Sequence, residues 1–132
     1  MIGVVIATHG NLANELLETA KFIIGDVSSV TAVTLAPSAS IETIQKNIKD
    51  AIREVDKGRG VIILTDMFGG TPSNIALSFL EKGKVDVITG VNLPMLIKFM
   101  QSAKDERPLE EVAADMVEYA RKSISHANAI LS

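Results

Sequence analysis

The chain alternates between short β-branched or aliphatic runs and longer segments whose apolar residues recur with a helical period. This alternation constrains the fold more than any other feature. Four runs have the length of a strand, namely residues 2–7, 30–35, 61–64 and 85–89. A segment with one apolar helical face follows each of them. Because right-handed crossovers join parallel strands in such a pattern, the sequence predicts an α/β fold with an open, mostly parallel sheet and helices on both faces.

Local signals predict where some helices begin and end. Ser40 is a candidate cap for the second helical segment, and Thr71-Pro72 predicts a third helix that is capped by Thr71 and ends at Lys82-Gly83. The tail, residues 124–132, fits two structures. It could continue the last helix, or it could form a short antiparallel edge strand around residues 124–131 that is lent to a second subunit.

Composition excludes several classes of function. The 132 residues, predicted to form one domain over 1–132, contain no cysteine, which excludes disulfides, thiol catalysis and cysteine-ligated metals. Net charge is −3 and the basic residues are scattered, so nucleic acid and anionic membranes are not expected partners. The apolar runs are far shorter than the roughly 18 residues of a membrane helix. Met1 leads into the first strand without a signal-peptide pattern, which predicts a cytoplasmic chain.

The strand ends predict where chemistry would take place. Ligands of open α/β sheets bind beyond the carboxyl ends of the strands, where the strand order reverses. In a sheet of order 2-1-3-4 the first and third strands are neighbours at that point, so His9 and Asp66, which follow them, would face each other. A carboxylate that bonds one ring nitrogen fixes the tautomer and leaves the other nitrogen as a nucleophile. If Asp66 accepts from Nδ1–H, the reacting atom of His9 is Nε2.

The residues around this pair suit an anion. Gly10 and Asn11 open one helix, and Gly69, Gly70 and Thr71 open another. Helix N-termini and glycine-rich turns direct free N–H groups at a bound anion, and each terminus carries roughly half a positive charge. The pattern therefore predicts a phosphohistidine site that needs neither metal nor cofactor. Three apolar residues, Met67, Phe68 and Leu93, are candidates for docking a partner protein, although each could equally belong to the core.

Other chemistries lack residues that they need. A histidine phosphatase requires a second histidine and clustered arginines, whereas His126 stands in a polar tail. A nucleotide-binding enzyme would show a Gly-Lys-Ser/Thr loop or a dinucleotide fingerprint. One histidine and one carboxylate do not complete a metal shell. A structural role for His9 is the alternative for the site itself.

Three segments, IATHG (6–10), LTDMFGGTPSN (64–74) and GVNLPML (90–96), occur in an order and spacing that resemble a known family. The chain resembles the enzyme IIA components of the mannose family of the bacterial sugar phosphotransferase system. That resemblance implies that His9 is phosphorylated, that Asp66 orients its ring and that the Thr71 hydroxyl lies near the phosphoryl group. Many members have Trp where Phe68 stands and Ser where Thr71 stands, so an apolar face and a hydroxyl are both retained.

The resemblance also implies partners. The phosphoryl donor would be the histidine phosphocarrier protein, and the acceptor would be a separate IIB component that serves membrane IIC and IID components. It implies a homodimer as well, with an antiparallel edge strand exchanged between subunits. Two alternatives remain: a regulatory phosphohistidine binding module that is not coupled to transport, and the phosphotransfer subunit of a dihydroxyacetone kinase. The Gly-Gly-Thr-Pro and Asn-Leu-Pro segments favour the sugar branch over the kinase subunit.

Overall fold

The computed structural model describes residues 1–102 and 104–131. Strands and helices alternate along most of the chain. The elements are β1 (Gly3–His9), α1 (Leu12–Ile24), β2 (Val30–Leu35), α2 (Ile41–Val55), β3 (Val61–Thr65), α3 (Thr71–Leu77), β4 (Val85–Thr89), α4 (Leu93–Gln101), α5 (Leu109–Lys122) and α6 (Ala127–Leu131). No helix in the described ranges is both long enough and apolar enough to span a bilayer.

The four strands form one open sheet of order β2-β1-β3-β4, and every neighbouring pair is parallel. The predicted α/β fold, strand order and parallel sheet are therefore confirmed. Ala7 of β1 is in register with Thr65 of β3, and His9 is in register with Leu35 of β2. Because β1 and β3 are neighbours, the chain leaves both of them at the same point on the carboxyl edge of the sheet.

Helices cover both faces of the sheet. Val4 and Ile6 of β1 pack into a core shared with α1, α4 and α5, whereas Val5 and Ala7 pack against α2 and α3. Both central strands are buried on both faces, which explains why β3 reads as the uninterrupted apolar run Val61–Leu64. The central strands are thus the most deeply buried part of the sheet, and their carboxyl ends position the residues that follow them.

The predicted start of α2 is confirmed, and that of α3 is partly wrong. The Ser40 hydroxyl accepts the Thr43 backbone N–H at 3.1 Å, as a cap should. At α3 the cap position belongs to Gly70, and Thr71 is the first helical residue. Gly70 takes this position because its φ of +82° turns the chain sharply and its carbonyl then accepts the Asn74 N–H at 3.0 Å.

The same helix also ends earlier than predicted. α3 stops at Leu77 instead of continuing to residues 82–83. Beyond it, the N–H groups of residues 78–80 donate to carbonyls only three positions back, and Glu81 then forms an isolated antiparallel bridge to Val85. These tighter bonds end the helix before the glycine that was expected to terminate it.

Of the two structures that the sequence allows for the tail, the single chain forms a helix and no antiparallel edge strand within the described residues. Residues 127–131 form α6, which is separated from α5 by a break at residues 124–126, so the tail is neither a strand nor an unbroken continuation of α5. The His126 carbonyl accepts N–H groups from Ala129 and Ile130 at 3.0 and 3.2 Å. Local bonds thus satisfy backbone groups that an edge strand would have offered to a neighbour. Ser132 lies outside the described residues.

Candidate functional site

His9 and Asp66 contact each other at the carboxyl edge of the sheet, as their positions after β1 and β3 predict. Nδ1 of His9 lies 2.8 Å from Oδ2 of Asp66, and the same oxygen accepts the backbone N–H of His9 at 3.2 Å. The His9 side chain is 52% exposed and that of Asp66 is 15% exposed. A largely buried carboxylate thus holds an imidazole ring whose other side faces solvent.

The protonation state of Asp66 determines the tautomer of the ring. Burial raises the pKa of the Asp66 carboxyl. The hydrogen bonds from the His9 side chain and backbone lower that pKa by more than burial raises it, so the net pKa is below the ordinary value. At neutral pH the carboxylate can therefore only accept hydrogen bonds, and Nδ1 must be the donor. In the neutral ring the lone pair then resides on Nε2.

Gly70 lies against the edge of the ring that carries this lone pair. A β-carbon built on Gly70 would lie 3.1 Å from Nε2 and 3.0 Å from Cε1 of His9. Within the described residues, no protein group hydrogen-bonds to Nε2. The loop that follows Asp66 is thus folded close to the ring without occupying its free nitrogen.

A cavity of about 210 Å³ opens beside the ring, between β1, the loop after β2 and the start of α3. Gly10 and Thr71 line it together with His9, whereas Asn11 stands outside this lining and its side chain donates to Glu15 at 3.2 Å. The remaining lining residues are largely apolar: Leu35, Ala36, Pro37, Ala39, Ile44 and Pro72. Pro72 belongs to the predicted start of α3, and the parallel pairing of β1 with β2 brings the loop after β2, with Ala36 and Pro37, beside His9.

The three apolar residues considered for docking differ in their surroundings. Phe68 is 79% exposed and Met67 is 54% exposed, so neither belongs to the core. Leu93 begins α4, is half-buried and packs against the core shared with α1 and α5. Of the three, Phe68 and Met67 therefore offer exposed apolar surface, on the loop that carries Asp66.

Thr8 holds the backbone of His9 in place, a role that the sequence analysis did not assign to it. Its side chain is fully buried, and its hydroxyl accepts the Ala13 N–H at 2.7 Å and donates to the His9 carbonyl at 3.1 Å. One hydroxyl thus ties the first turn of α1 to the backbone of His9. A threonine between a strand and a helix is the type of residue that satisfies free helical N–H groups, and this signal was available in the sequence.

The segment GVNLPML (90–96) has a structural role, which its asparagine provides. Asn92 caps α4, since its Oδ1 accepts the Met95 N–H at 2.9 Å, and its Nδ2 donates to the Ala120 carbonyl at 3.3 Å. The asparagine therefore ties the loop after β4 to the end of α5. No group of three metal-ligating side chains occurs in the described ranges.

A family described as "PTS system fructose IIA component" matches residues 3–117. The chain belongs to this family. It is 33% identical over 124 residues to the mannose-specific EIIAB component of Escherichia coli K12, covering 93% of this chain but 38% of that protein. This chain thus spans a little over a third of that relative's length.

Two further relatives match over most of their own length. The fructose-specific EIIA component of Bacillus subtilis is 32% identical over 124 residues, which cover 93% of this chain and 84% of that protein. The solved PTS IIA protein associated with the fucose utilization operon of Streptococcus pneumoniae superposes with a TM-score of 0.86 at 34% identity. That match covers 98% of this chain and 96% of the other. Membership of the family thus rests on agreement in both sequence and fold.

Proposed function

We propose that this chain is a phosphoryl relay in a sugar phosphotransferase system and that His9 carries the phosphoryl group on Nε2. One observation carries the proposal: Asp66 engages Nδ1 at 2.8 Å, while Nε2 stays free at the edge of an open cavity. Membership of the IIA family supports the same function. The ring is thereby oriented with one nitrogen left free of hydrogen bonds, which is what a nucleophilic nitrogen requires.

The chemistry follows from the hydrogen bonds of the ring. The Nε2 lone pair attacks the phosphorus of the donor, the bond from phosphorus to the donor's leaving atom breaks, and Nδ1 keeps its proton. The phosphorylated ring is cationic, and the adjacent Asp66 carboxylate stabilises that charge. In the transfer to the acceptor, a nucleophilic atom of the acceptor attacks the phosphorus, the bond from phosphorus to Nε2 breaks, and Nε2 recovers its lone pair. Such transfer depends on positioning and on donors around the phosphoryl oxygens, and needs little else from the protein.

In this proposal, Thr71 and the backbone of Gly10, Gly69 and Gly70 surround the phosphoryl oxygens. Thr71 and Gly10 line the cavity beside the ring, which supports their part, and the Gly70 backbone lies against the ring. Asn11 would contribute only through its backbone N–H, because its side chain is engaged by Glu15. No cofactor has a place in the reaction as proposed.

The partners that we propose are proteins. The donor is a histidine phosphocarrier protein and the acceptor is a IIB component, which passes the group towards the membrane components and the sugar. Phe68 and Met67 form the docking rim, because they are exposed apolar side chains on the loop that carries Asp66.

We also propose a homodimer, in which the exposed Ile130 and Leu131 of α6 become covered. Sedimentation velocity on the full chain would detect it.

The deciding experiment is phosphorylation of the purified chain with phosphoenolpyruvate and the general phosphotransferase proteins. We expect a mass increase of one phosphoryl group on a peptide that contains His9, and a phosphorus NMR signal of Nε2-phosphohistidine. His9→Ala should abolish the label, and the matched variant His126→Ala should keep it. Label that persists in His9→Ala, or a phosphorus signal from Nδ1, would overturn the proposed site.

A further inference from the structure

The absence of a side chain at Gly70 coincides with the place where a phosphoryl group on His9 would lie. A β-carbon there would stand 3.1 Å from Nε2 and 3.0 Å from Cε1. The phosphorus of a phosphohistidine is one covalent bond from Nε2, and its oxygens are two bonds away. A methyl group at residue 70 would therefore compete for the same space as those oxygens.

Neither side of this contact can move away without loss. Swinging the His9 ring outward would lengthen its 2.8 Å hydrogen bond to Asp66. Moving the loop would disturb the cap of α3, because the Gly70 carbonyl accepts the Asn74 N–H at 3.0 Å. The Gly70 backbone, with φ of +82° and ψ of 168°, is also in a region that essentially only glycine adopts.

We propose that Gly70 is a positioning residue for phosphorylation: its missing side chain keeps open the space that the phosphoryl group on Nε2 occupies. The inference rests on the proposed function, since it assumes that Nε2 is the atom phosphorylated. It assigns Gly70 a steric role that is separate from any hydrogen bond its backbone N–H makes.

The test uses phosphoramidate, a donor small enough to reach the ring without docking. Nε2 attacks the phosphorus of the donor in its zwitterionic form, whose nitrogen carries three hydrogens; the phosphorus–nitrogen bond breaks and ammonia leaves with those hydrogens. The proton on Nδ1 stays beside Asp66, so atoms and charge balance. Because no partner protein takes part, the labelling rate reports on space at the ring and not on docking.

Gly70→Ala is compared with Gly25→Ala, a control matched for backbone strain. Gly25 ends α1 with φ of +99° and ψ of −175°, the same glycine-only region, and a β-carbon on it would meet nothing within 4 Å. We expect Gly70→Ala to label about 10²-fold more slowly than the wild type, as for a misplacement of about 1 Å at a reacting centre. Gly25→Ala should label at the wild-type rate, although both variants lose thermal stability.

A second measurement on the wild type decides the matter if Gly70→Ala does not fold. Phosphorylation of His9 should shift the proton NMR resonances of the Gly70 α-hydrogens, and those of Gly25 should stay in place. Equal labelling of Gly70→Ala and wild type, equal slowing of both variants, or unmoved Gly70 resonances would each overturn the inference. A wild type that takes no label on His9 would instead overturn the proposed function itself.

Discussion

Two acid–base pairs in this molecule have almost the same contact distance and very different surroundings. His9 and Asp66 meet at 2.8 Å across the carboxyl ends of two central strands. Arg107 meets Asp105 at 2.6 Å and Asp115 at 2.8 Å, beside the start of α5. A short ion pair is therefore no sign of function by itself.

The two pairs differ in what they leave unused. Arg107 divides its guanidinium between two carboxylates, through Nε and Nη2 towards Asp105 and through Nη2 towards Asp115. His9 uses Nδ1 for its hydrogen bond to Asp66, and its Nε2 makes no hydrogen bond within the described residues. The Asp105 and Asp115 contacts span two and eight residues of sequence, whereas the His9–Asp66 contact spans 57. The Arg107 contacts close a loop locally, whereas the His9–Asp66 pair leaves one ring nitrogen free at the carboxyl ends of two central strands.

Removing the charge of Asp66 should produce the largest effect that separates the two pairs. Asp66→Asn puts an amide where the carboxylate stood, and its NH₂ group can donate to Nδ1, which favours the tautomer with the proton on Nε2. We expect phosphorylation of His9 to slow by about 10²-fold or more, since a wrong tautomer removes the nucleophilic lone pair. Stopped-flow or quench measurement of phosphoryl transfer from the phosphocarrier protein gives the rate.

Asp105→Asn is the matched control, because it neutralises the other short pair in the same way. Its transfer rate should equal that of the wild type. If Asp66→Asn and Asp105→Asn transferred equally fast, Asp66 would be no more than a loop residue, and the contrast between the pairs would disappear.

Exposed aromatic residues offer a second contrast between the site and the rest of the surface. Phe68 is 79% exposed beside the pair, and Phe22 is 92% exposed near the end of α1. Phe68→Ala should raise the KM for the phosphocarrier protein about tenfold, which corresponds to the loss of about 1.4 kcal/mol of docking energy. Phe22→Ala should leave the KM unchanged. Both should leave Tm nearly unaltered, because neither ring is buried, and a KM that responds equally to both would contradict the docking rim.

The sequence predicts the long-range contact of this site better than its local turns. The alternating pattern predicts a parallel α/β sheet, and in the order 2-1-3-4, which the structure has, neighbouring strands bring His9 and Asp66 together. The predicted cap at Thr71 was wrong because residue 70, not 71, makes the turn, and composition does not report φ. The tail was ambiguous because its few apolar residues fix no buried face: in the described part of the single chain Ile124, Ile130 and Leu131 are all exposed. The apolar cavity wall is not among the predicted site residues, because most of it comes from a loop and a helix that carry no polar signal.

Thr8 allows a further test of the site's support, because its buried hydroxyl ties the backbone of His9 to the first turn of α1. Thr8→Val keeps the shape and leaves the Ala13 N–H without its 2.7 Å acceptor. We expect a loss of about 1–2 kcal/mol in the free energy of unfolding, typical of a lost helix-end acceptor. Urea unfolding measures it, and Thr8→Ser, which keeps the hydroxyl, should recover most of the loss. An unchanged stability in Thr8→Val would show that the hydroxyl anchors nothing.

The smallest effect belongs to the Arg107 pair and concerns acid stability. The side-chain hydrogen bond from Arg107 lowers the pKa of Asp105 from 3.8 to about 2. A carboxyl whose pKa is lower in the folded chain stabilises that chain above its unfolded pKa, and the stabilisation is lost as the pH falls towards the folded pKa. The contribution of Asp105 should therefore be complete above about pH 4 and disappear between about pH 4 and pH 2. Because the Arg107 side chain is 44% exposed, 1 M salt, with a screening length of about 3 Å, should weaken this contribution. Tm measured against pH for wild type and Asp105→Asn, at low and high salt, gives the comparison. The two curves should differ slightly at pH 5 and low salt and converge near pH 2. Curves that diverge as the pH falls would reverse the sign argued here.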